Sequence, residues 1–260
     1  AAVTKMNNMF FVATSFNGNI TSWNTAAVTN MSSMFYGATS FNQNINTSGS
    51  SWNTAAVTSM ADMFRGATAF NGNISSWNTA AVTGMSHMFR GATSFNGNIS
   101  SWNTAAVTGM SFMFEGATSF NGNITSWNTA AVTTMGHMFK SATSFNQPLT
   151  HSGNSWNLEN VTDMTDMFNG ATGFSIANYN IFLYSQANNS GINSNITITV
   201  SSKYSDATSR TYLTGTKNWT ITDLGASSDF VSTWVISSGS FELPLQNYSN
   251  ITIDWGDGGS

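Results

Sequence analysis

The side chains able to do chemistry in this 260-residue chain are few, and they fall at regular intervals. Within residues 1–174 most stand in two columns set by a recurring Met-Phe pair. The residue before the pair is Asn8, Ser33, Asp62, His87, Phe112, His137 or Asp166, and the residue after it is Phe11, Tyr36, Arg65, Arg90, Glu115, Lys140 or Asn169. A zinc-type site needs both imidazoles at about 2 Å from one ion. His87 and His137 belong to copies two apart, about 9–10 Å at the spacing of stacked strands, so they do not share an ion. Asp163 and Asp166, on either side of Met164, read as solvated carboxylates. Asp254 and Asp257 in the WGDG turn at 255–258 lack the further oxygen ligands that calcium takes. No Ser/His/Asp grouping converges, and acidic residues do not cluster on adjacent copies as a glycoside hydrolase requires. The reading is of a non-enzyme, with no catalytic residue, no cofactor and no metal.

Variation against an invariant frame marks solvent-facing positions. Tyr36, Arg65, Arg90, Phe112, Glu115, Lys140, His87 and His137 are therefore either a recognition surface for a glycan or protein, or exposed positions without a partner. Arg90, Glu115 and Lys140, on successive copies, suggest a short ion-pair ladder, of small worth on a surface.

The frame that positions them is the stretch 77–101, WNTAAVTGMSHMFRGATSFNGNISS, which recurs from Trp102 and Trp127, with related copies from Trp23, Trp52 and Trp156 and a partial one at the start. The Met-Phe pairs are spaced 25, 29, 25, 25, 25 and 29 residues apart, and fixed self-similarity in this range marks a solenoid or array. Spacings of three to four between Val82, Met85, Met88, Ala92 and Phe95 mimic an amphipathic helix. Val-Thr, two Gly per copy and Asn-Gly argue against one. The expected unit is a short strand over 81–85, one helical turn over 86–91 and a second extended piece over 96–102. Asn-Gly implies a corner with positive φ. Two copies have Gln43 and Gln147 in place of that Gly and four extra residues before the Trp, which implies two longer corners. One copy cannot bury its own apolar face, so the copies stabilise as a stack of roughly 35 Å. An amide ladder of Asn17, Asn42, Asn71, Asn96, Asn121 and Asn146, side chain to next backbone, follows from stacking.

Charged residues are only 7% of the chain, and the net charge is −4 with seven basic residues. That balance excludes nucleic acid as a partner, since phosphates demand clustered Lys and Arg, and it excludes docking on anionic lipid. No run of 18 apolar residues implies membrane insertion. There is no Cys for a disulfide or thiolate site. Sequons at Asn19, Asn73, Asn98, Asn123, Asn195 and Asn218 are candidate glycosylation sites, and together with the Asn/Ser/Thr-rich composition they suit an extracellular, cell-surface location.

Beyond 1–174 the period breaks. A helix over 176–186, a strand over 195–201, a helix over 205–213 and a strand over 219–223 make an α/β C-terminal cap over 175–225. From 226 to 260 further strands lead into WGDG.

The form VTxMxxMFxGATSFNxxIxxW, with FNQPL at 145–149 and WNLENVTDMTDMF at 156–168, resembles the BspA-like surface-protein repeat, a leucine-rich-repeat relative also called DUF285. The closing segment 201–223 is similar to the one that follows such repeats, and 230–260 resembles the opening strands of a PKD-like β-sandwich. Thirty-one residues fall short of a whole sandwich. This implies an excerpt of a longer protein, or a sandwich completed by a neighbouring subunit. The resemblance implies an LRR-like right-handed solenoid with short parallel strands, in a non-enzymatic, exported surface protein associated with adhesion. The expected role is a structural rod segment of a long adhesin or extracellular filament, made of self-associating or tandem copies of the same protein. The alternative is a recognition module for a host or environmental glycan or surface protein. Met6, Met9, Phe10 and Phe11, in the opening copy, are the candidate assembly end.

Overall fold

The structure is a computed structural model that describes residues 2–47 and 51–227. The expected sandwich strands from 228 onward and the centre of the first long corner, 48–50, lie outside the described residues.

Each repeat is hydrogen-bonded to the next. Single-residue parallel bridges run Lys5, Asn30, Ser59, Gly84, Gly109, Thr134, Asp163. The expected strand over 81–85 shrinks to the one bridged residue Gly84, and among the described residues of the repeats only the last has a true strand, β1 (Met164–Phe168). The expected helical turn over 86–91 is absent as well. His87 has φ 60° and Gly91 φ 67°, in the left-handed region that no right-handed helix visits. The reason lies in where the N–H groups point. Those of Met85, His87, Phe89 and Gly91 donate to Gly109, Ser111, Met113 and Glu115 of the next repeat, while those of Met88, Arg90 and Ala92 close tight turns onto Met85, His87 and Phe89. Donors thus alternate between leaving and staying, and each left-handed residue turns the chain back for the next outward bond. The seven N–H groups named here thus all find a carbonyl.

Threonines bind the stack in both directions. Thr58, Thr83, Thr108 and Thr133 give both N–H and hydroxyl to the carbonyl of the equivalent Thr one repeat back. Buried Thr54, Thr79, Thr104 and Thr129 send their hydroxyls forward, to Asn78, Asn103, Asn128 and Asn157. The amide ladder has the geometry its sequence column implies. Asn42, Asn71, Asn96, Asn121 and Asn146 donate their N–H to the preceding Asn Oδ1 at 2.8–3.0 Å. Gln43 and Gln147 add a second strap, donating Nε2 to the carbonyl and Oδ1 of Asn17 and Asn121.

The core is a set of columns along the stack. Within a repeat, Phe64–Phe70, Phe89–Phe95 and Phe114–Phe120 stack at 3.8–3.9 Å between ring centroids. Between repeats, Phe64–Phe89 and Phe89–Phe114 follow at 5.6 and 5.7 Å. Burying each large apolar side chain contributes about 1.5–3 kcal/mol, realised only when a neighbour covers it. The indoles of Trp77, Trp102, Trp127 and Trp156 are satisfied by the carbonyls of Ile45, Ile74, Ile99 and Ile124.

The Asn-Gly corners do not have the expected positive φ; none of Gly18, Gly72, Gly97 and Gly122 is left-handed. Glycine stands there for space. A Cβ at Gly97 or Gly122 would sit 3.0 or 2.9 Å from the ring of Phe95 or Phe120, and at Gly72 it would fall 2.1 Å from the Gln43 carbonyl oxygen.

The C-terminal part of the described chain is mixed α/β. Strand β1 opens a parallel three-stranded sheet, order β1-β2-β3, with β2 (Thr197–Val200) and β3 (Thr220–Thr222). Helix α1 (Ile176–Ala187) is N-capped by Ser175, which accepts from Asn178 N–H. The side chain of Asn178 takes over the ladder, donating to Asn146. Phe182 packs edge-on against Phe168. Helix α2 (Ala207–Thr211) is N-capped by Asp206 and runs into a π-helical turn at Tyr212–Thr216. Arg210 ties α2 to Asp223, which also accepts from the Tyr179 hydroxyl.

Candidate functional site

The two varied columns form one half-buried ridge on the stack, because the left-handed residue and the residue three further on both project from the same pair of tight turns. From one end, Phe11 stacks on Tyr36 at 4.7 Å, and the Arg65 guanidinium lies 5.1 Å from the Tyr36 ring centroid while pairing with Asp62 at 3.1 Å. His87, Phe112 and His137 stack in sequence at 4.6 and 4.4 Å, with Arg90 over Phe112 at 5.2 Å. Arg90 pairs with Glu115. Lys140 pairs with Asp166 at 2.9 Å, and His137 Nε2 lies 3.6 Å from the same carboxylate. The ladder expected from Arg90 through Glu115 to Lys140 is thus broken. Lys140 turns to Asp166 of the next repeat, while Glu115 is held by Arg90. Asp62 and Asp166 were absent from the candidate set, though both stand in the varied column. The signal that finds them is the i,i+3 relation of Asp62 to Arg65 and the one-repeat offset of Lys140 to Asp166.

Phe112 separates His87 from His137. Among the described residues no three of His, Asp and Glu come together in a way that could hold a metal ion.

Burial lowers the pKa of His87 below its ordinary 6.5; Asp62 opposes this, and Arg65 and Arg90 reinforce it. The folded state therefore binds the proton less well than the unfolded chain. Stability drops as pH falls through 6.5 and levels off once the pH passes below the depressed folded value. His87→Asn is expected to flatten this part of a stability profile between pH 7 and 5, measured by urea titration; an unchanged slope refutes it. The hydrogen bond from the Lys140 ammonium holds the Asp166 carboxyl below its usual range.

The other candidates fall elsewhere. Met9 and Phe11 are about half exposed at 51%, but Met6 is buried at 6% and Phe10 is partly buried against Phe16 and Phe35. The candidate assembly end is thereby corrected: its own repeat and the next one cover Met6 and much of Phe10. Asn19, Asn98 and Asn123 are exposed, each Oδ1 turned back to accept from the backbone N–H and hydroxyl of the sequon's Thr or Ser. Asn73 is exposed too and accepts from Ser75 N–H. Asn195 and Asn218, both left-handed, face one another, and the Asn218 Nδ2 donates to Asn195 at 2.6 Å. A glycan on Asn218 would use the nitrogen this bond occupies.

Residues 1–92 and 72–182 match the family described as "Mycoplasma protein of unknown function, DUF285". The chain belongs to the DUF285 family. The match covers the whole of the repeat array and the start of α1, so DUF285 here denotes the stacked part and its ridge. The BspA-like label stands with it. No curated protein and no solved structure matches the chain. No helix among the described residues is long and apolar enough to cross a membrane.

Proposed function

We propose that this DUF285 chain is a non-enzymatic structural segment of an extracellular surface protein or filament. In this reading the repeats form an LRR-like solenoid, 175–225 caps it, and a PKD-like sandwich follows. The observation that carries it is the interchangeability of the repeats. Every interior repeat offers its neighbours the same outward bonds, the same Phe and Trp columns and the same Asn ladder, so adding one adds length without building a pocket. The ridge supports the same view, because its charges are paired within the chain and its ring faces are covered by one another. Electron microscopy of the native protein released from its source tests the proposal. Regular filaments, or straight segments as long as the repeat array, are the expected result; compact particles refute it.

A second reading, recognition of a glycan or protein, is favoured by one observation. Bulky Phe112 occupies a left-handed position, where Asn, Asp or His fits better. Replacing Tyr36, Arg65, Phe112 and Lys140 together separates the two. Adhesion lost with assembly intact supports recognition, and adhesion unchanged rules it out.

A further inference from the structure

We infer that the groove between α1 and α2 is a binding site for a neutral saccharide, which lies against the rings of Tyr184 and Tyr212 and is hydrogen-bonded by the Asp206 carboxylate. This function is separate from the ridge and does not depend on whether the repeats build a filament. Every residue that lines the groove lies beyond 182, where the family match ends.

The sequence sets one wall of the groove along a single face of α1. Asn180, Tyr184 and Asn188 recur every four residues, so they stand one above the other along the helix. Asn180 clamps the start of α2. Its Nδ2 donates to the Ser205 hydroxyl at 2.7 Å, and its Oδ1 accepts from the N–H groups of Ser205 and Asp206 at 2.9 and 3.1 Å. Arg210 ties the same short helix to Asp223. The two walls are therefore fixed before a ligand arrives, which lowers the ordering cost of binding. Past Asn180 the walls part. Tyr184 and Asn188 on one side and Asp206, Thr208 and Tyr212 on the other border an open groove of about 630 Å³, within the ~300–1,000 Å³ usual for small-molecule sites. Tyr212 is presented by the π-helical turn, a rare element that recurs at functional sites.

The groove differs from the ridge in that the chain leaves its groups unclaimed. Along the ridge, rings cover rings and charges are paired. In the groove Tyr184 is 62% exposed, and among the described residues neither its ring nor that of Tyr212 has an aromatic or cationic partner. Asp206 uses Oδ1 to accept from the Ser209 N–H at 3.0 Å. Its Oδ2 accepts from none of the described residues, and none of their Lys or Arg side chains pairs with it. Asn188 donates Nδ2 to the Tyr184 carbonyl at 2.8 Å, which leaves its Oδ1 open to a ligand. The Ser190 and Thr208 hydroxyls are open as well.

These groups select the ligand. A sugar ring has an apolar C–H face that suits an amphipathic tyrosine, and a rim of hydroxyls that both donate and accept. No Lys or Arg lines the groove, so an anionic sugar would meet Asp206 with no cation to balance it. A carboxylate beside tyrosines also suits an ammonium group. The remaining polar groups here are neutral hydroxyls and an amide, however, and these match a polyol.

Binding of the 260-residue chain to a glycan array tests this. The array carries neutral hexose, deoxyhexose and N-acetylhexosamine oligosaccharides, with sialylated, sulfated and choline-bearing glycans as counter-probes. The expected result is capture by neutral glycans alone. Tyr184→Ala removes an exposed ring and is expected to weaken binding by about 10- to 100-fold, with circular dichroism unchanged. Asp206→Asn keeps an equally good N-cap for α2 but removes the charged acceptor, and about 10-fold weaker binding is expected. Tyr212 also packs against the core and is left in place. The fourfold variant of the ridge at Tyr36, Arg65, Phe112 and Lys140 is expected to bind as the unaltered chain does. No neutral glycan bound, a preference for any counter-probe, or binding indifferent to both Tyr184→Ala and Asp206→Asn each overturn the assignment. Binding lost only in the ridge variant overturns it too, in favour of recognition by the ridge. Filaments from a chain that captures no glycan overturn the groove and leave the structural reading standing. Capture that depends on Tyr184, in a protein that forms no filament or straight segment, does the reverse.

Discussion

Phe114→Ala is expected to lower unfolding stability by about 3–5 kcal/mol, the range for removing a buried aromatic ring. Phe114 is fully buried at the middle of the stack, 3.9 Å from Phe120 and 5.7 and 5.8 Å from Phe89 and Phe139, with Trp127 at 6.2 Å. Truncation interrupts the column in three repeats at once. Its neighbours are held by the bonds of Phe89 to Met113 and of Phe114 to Met138, so they cannot slide in to fill the space. The loss is also expected to reduce cooperativity, since a stack coupled only through nearest neighbours can open at a weakened interface. Urea denaturation followed by tryptophan fluorescence reads both effects. A shift below about 1 kcal/mol, as for a surface site, would mean that the column is not the core.

Gly72→Ala is expected to be severe and Gly97→Ala mild, although the two sit in the same Asn-Gly motif. At Gly72 the new methyl would overlap the backbone oxygen of Gln43 at 2.1 Å, and a carbonyl fixed in the stack cannot step aside. Overpacking costs about 1–3 kcal/mol and more where backbone must move, so this variant belongs at or above the upper end. At Gly97 the nearest atom is the ring edge of Phe95 at 3.0 Å, and the preceding repeat's carbonyl, that of Gly72, is 3.8 Å away. A ring shift of a few tenths of an ångström relieves that contact, and about 1 kcal/mol is expected. The difference traces to Gln43, in one of the two longer repeats. Parallel urea titrations of the two variants decide it, and equal midpoints would refute the explanation.

The array, its period and its core columns were legible because each repeat restates the same apolar letters. Buried Val82, Met85, Met88, Phe89, Ala92, Phe95 and Ile99 are the positions the repetition picks out. The Asn ladder was legible for the same reason. The local conformation was not. The left-handed residue at Phe112 leaves no mark in residue type, because the inter-repeat bonds impose the φ and intrinsic preference is overridden. The glycine before Ala misled in the opposite way. Asn-Gly suggested a positive φ at the corner, whereas the glycines that recur left-handed from repeat to repeat are Gly37, Gly66, Gly91, Gly116 and Gly170, after the Met-Phe pair. The site columns were visible as variation, but their partners were not. Arg65 chose Asp62 within its own repeat and Lys140 chose Asp166 in the next, a choice made by side-chain reach.

The bonds between repeats have a mechanical consequence. Between the repeats containing Met85 and Met110, four N–H groups reach forward, from Met85, His87, Phe89 and Gly91, while Thr108 and Ser119 reach back. These bonds all cross one interface side by side. Tension applied evenly along the stack loads them together, so the interface resists as a set and then fails at once. Tension applied at one corner, for example through the Asn96–Asn121 contact, loads them in turn and peels the repeat away at much lower force. The chain is therefore expected to be stiff and brittle under a straight pull and weak under a skewed one, so the way its two ends are gripped decides how much load it bears.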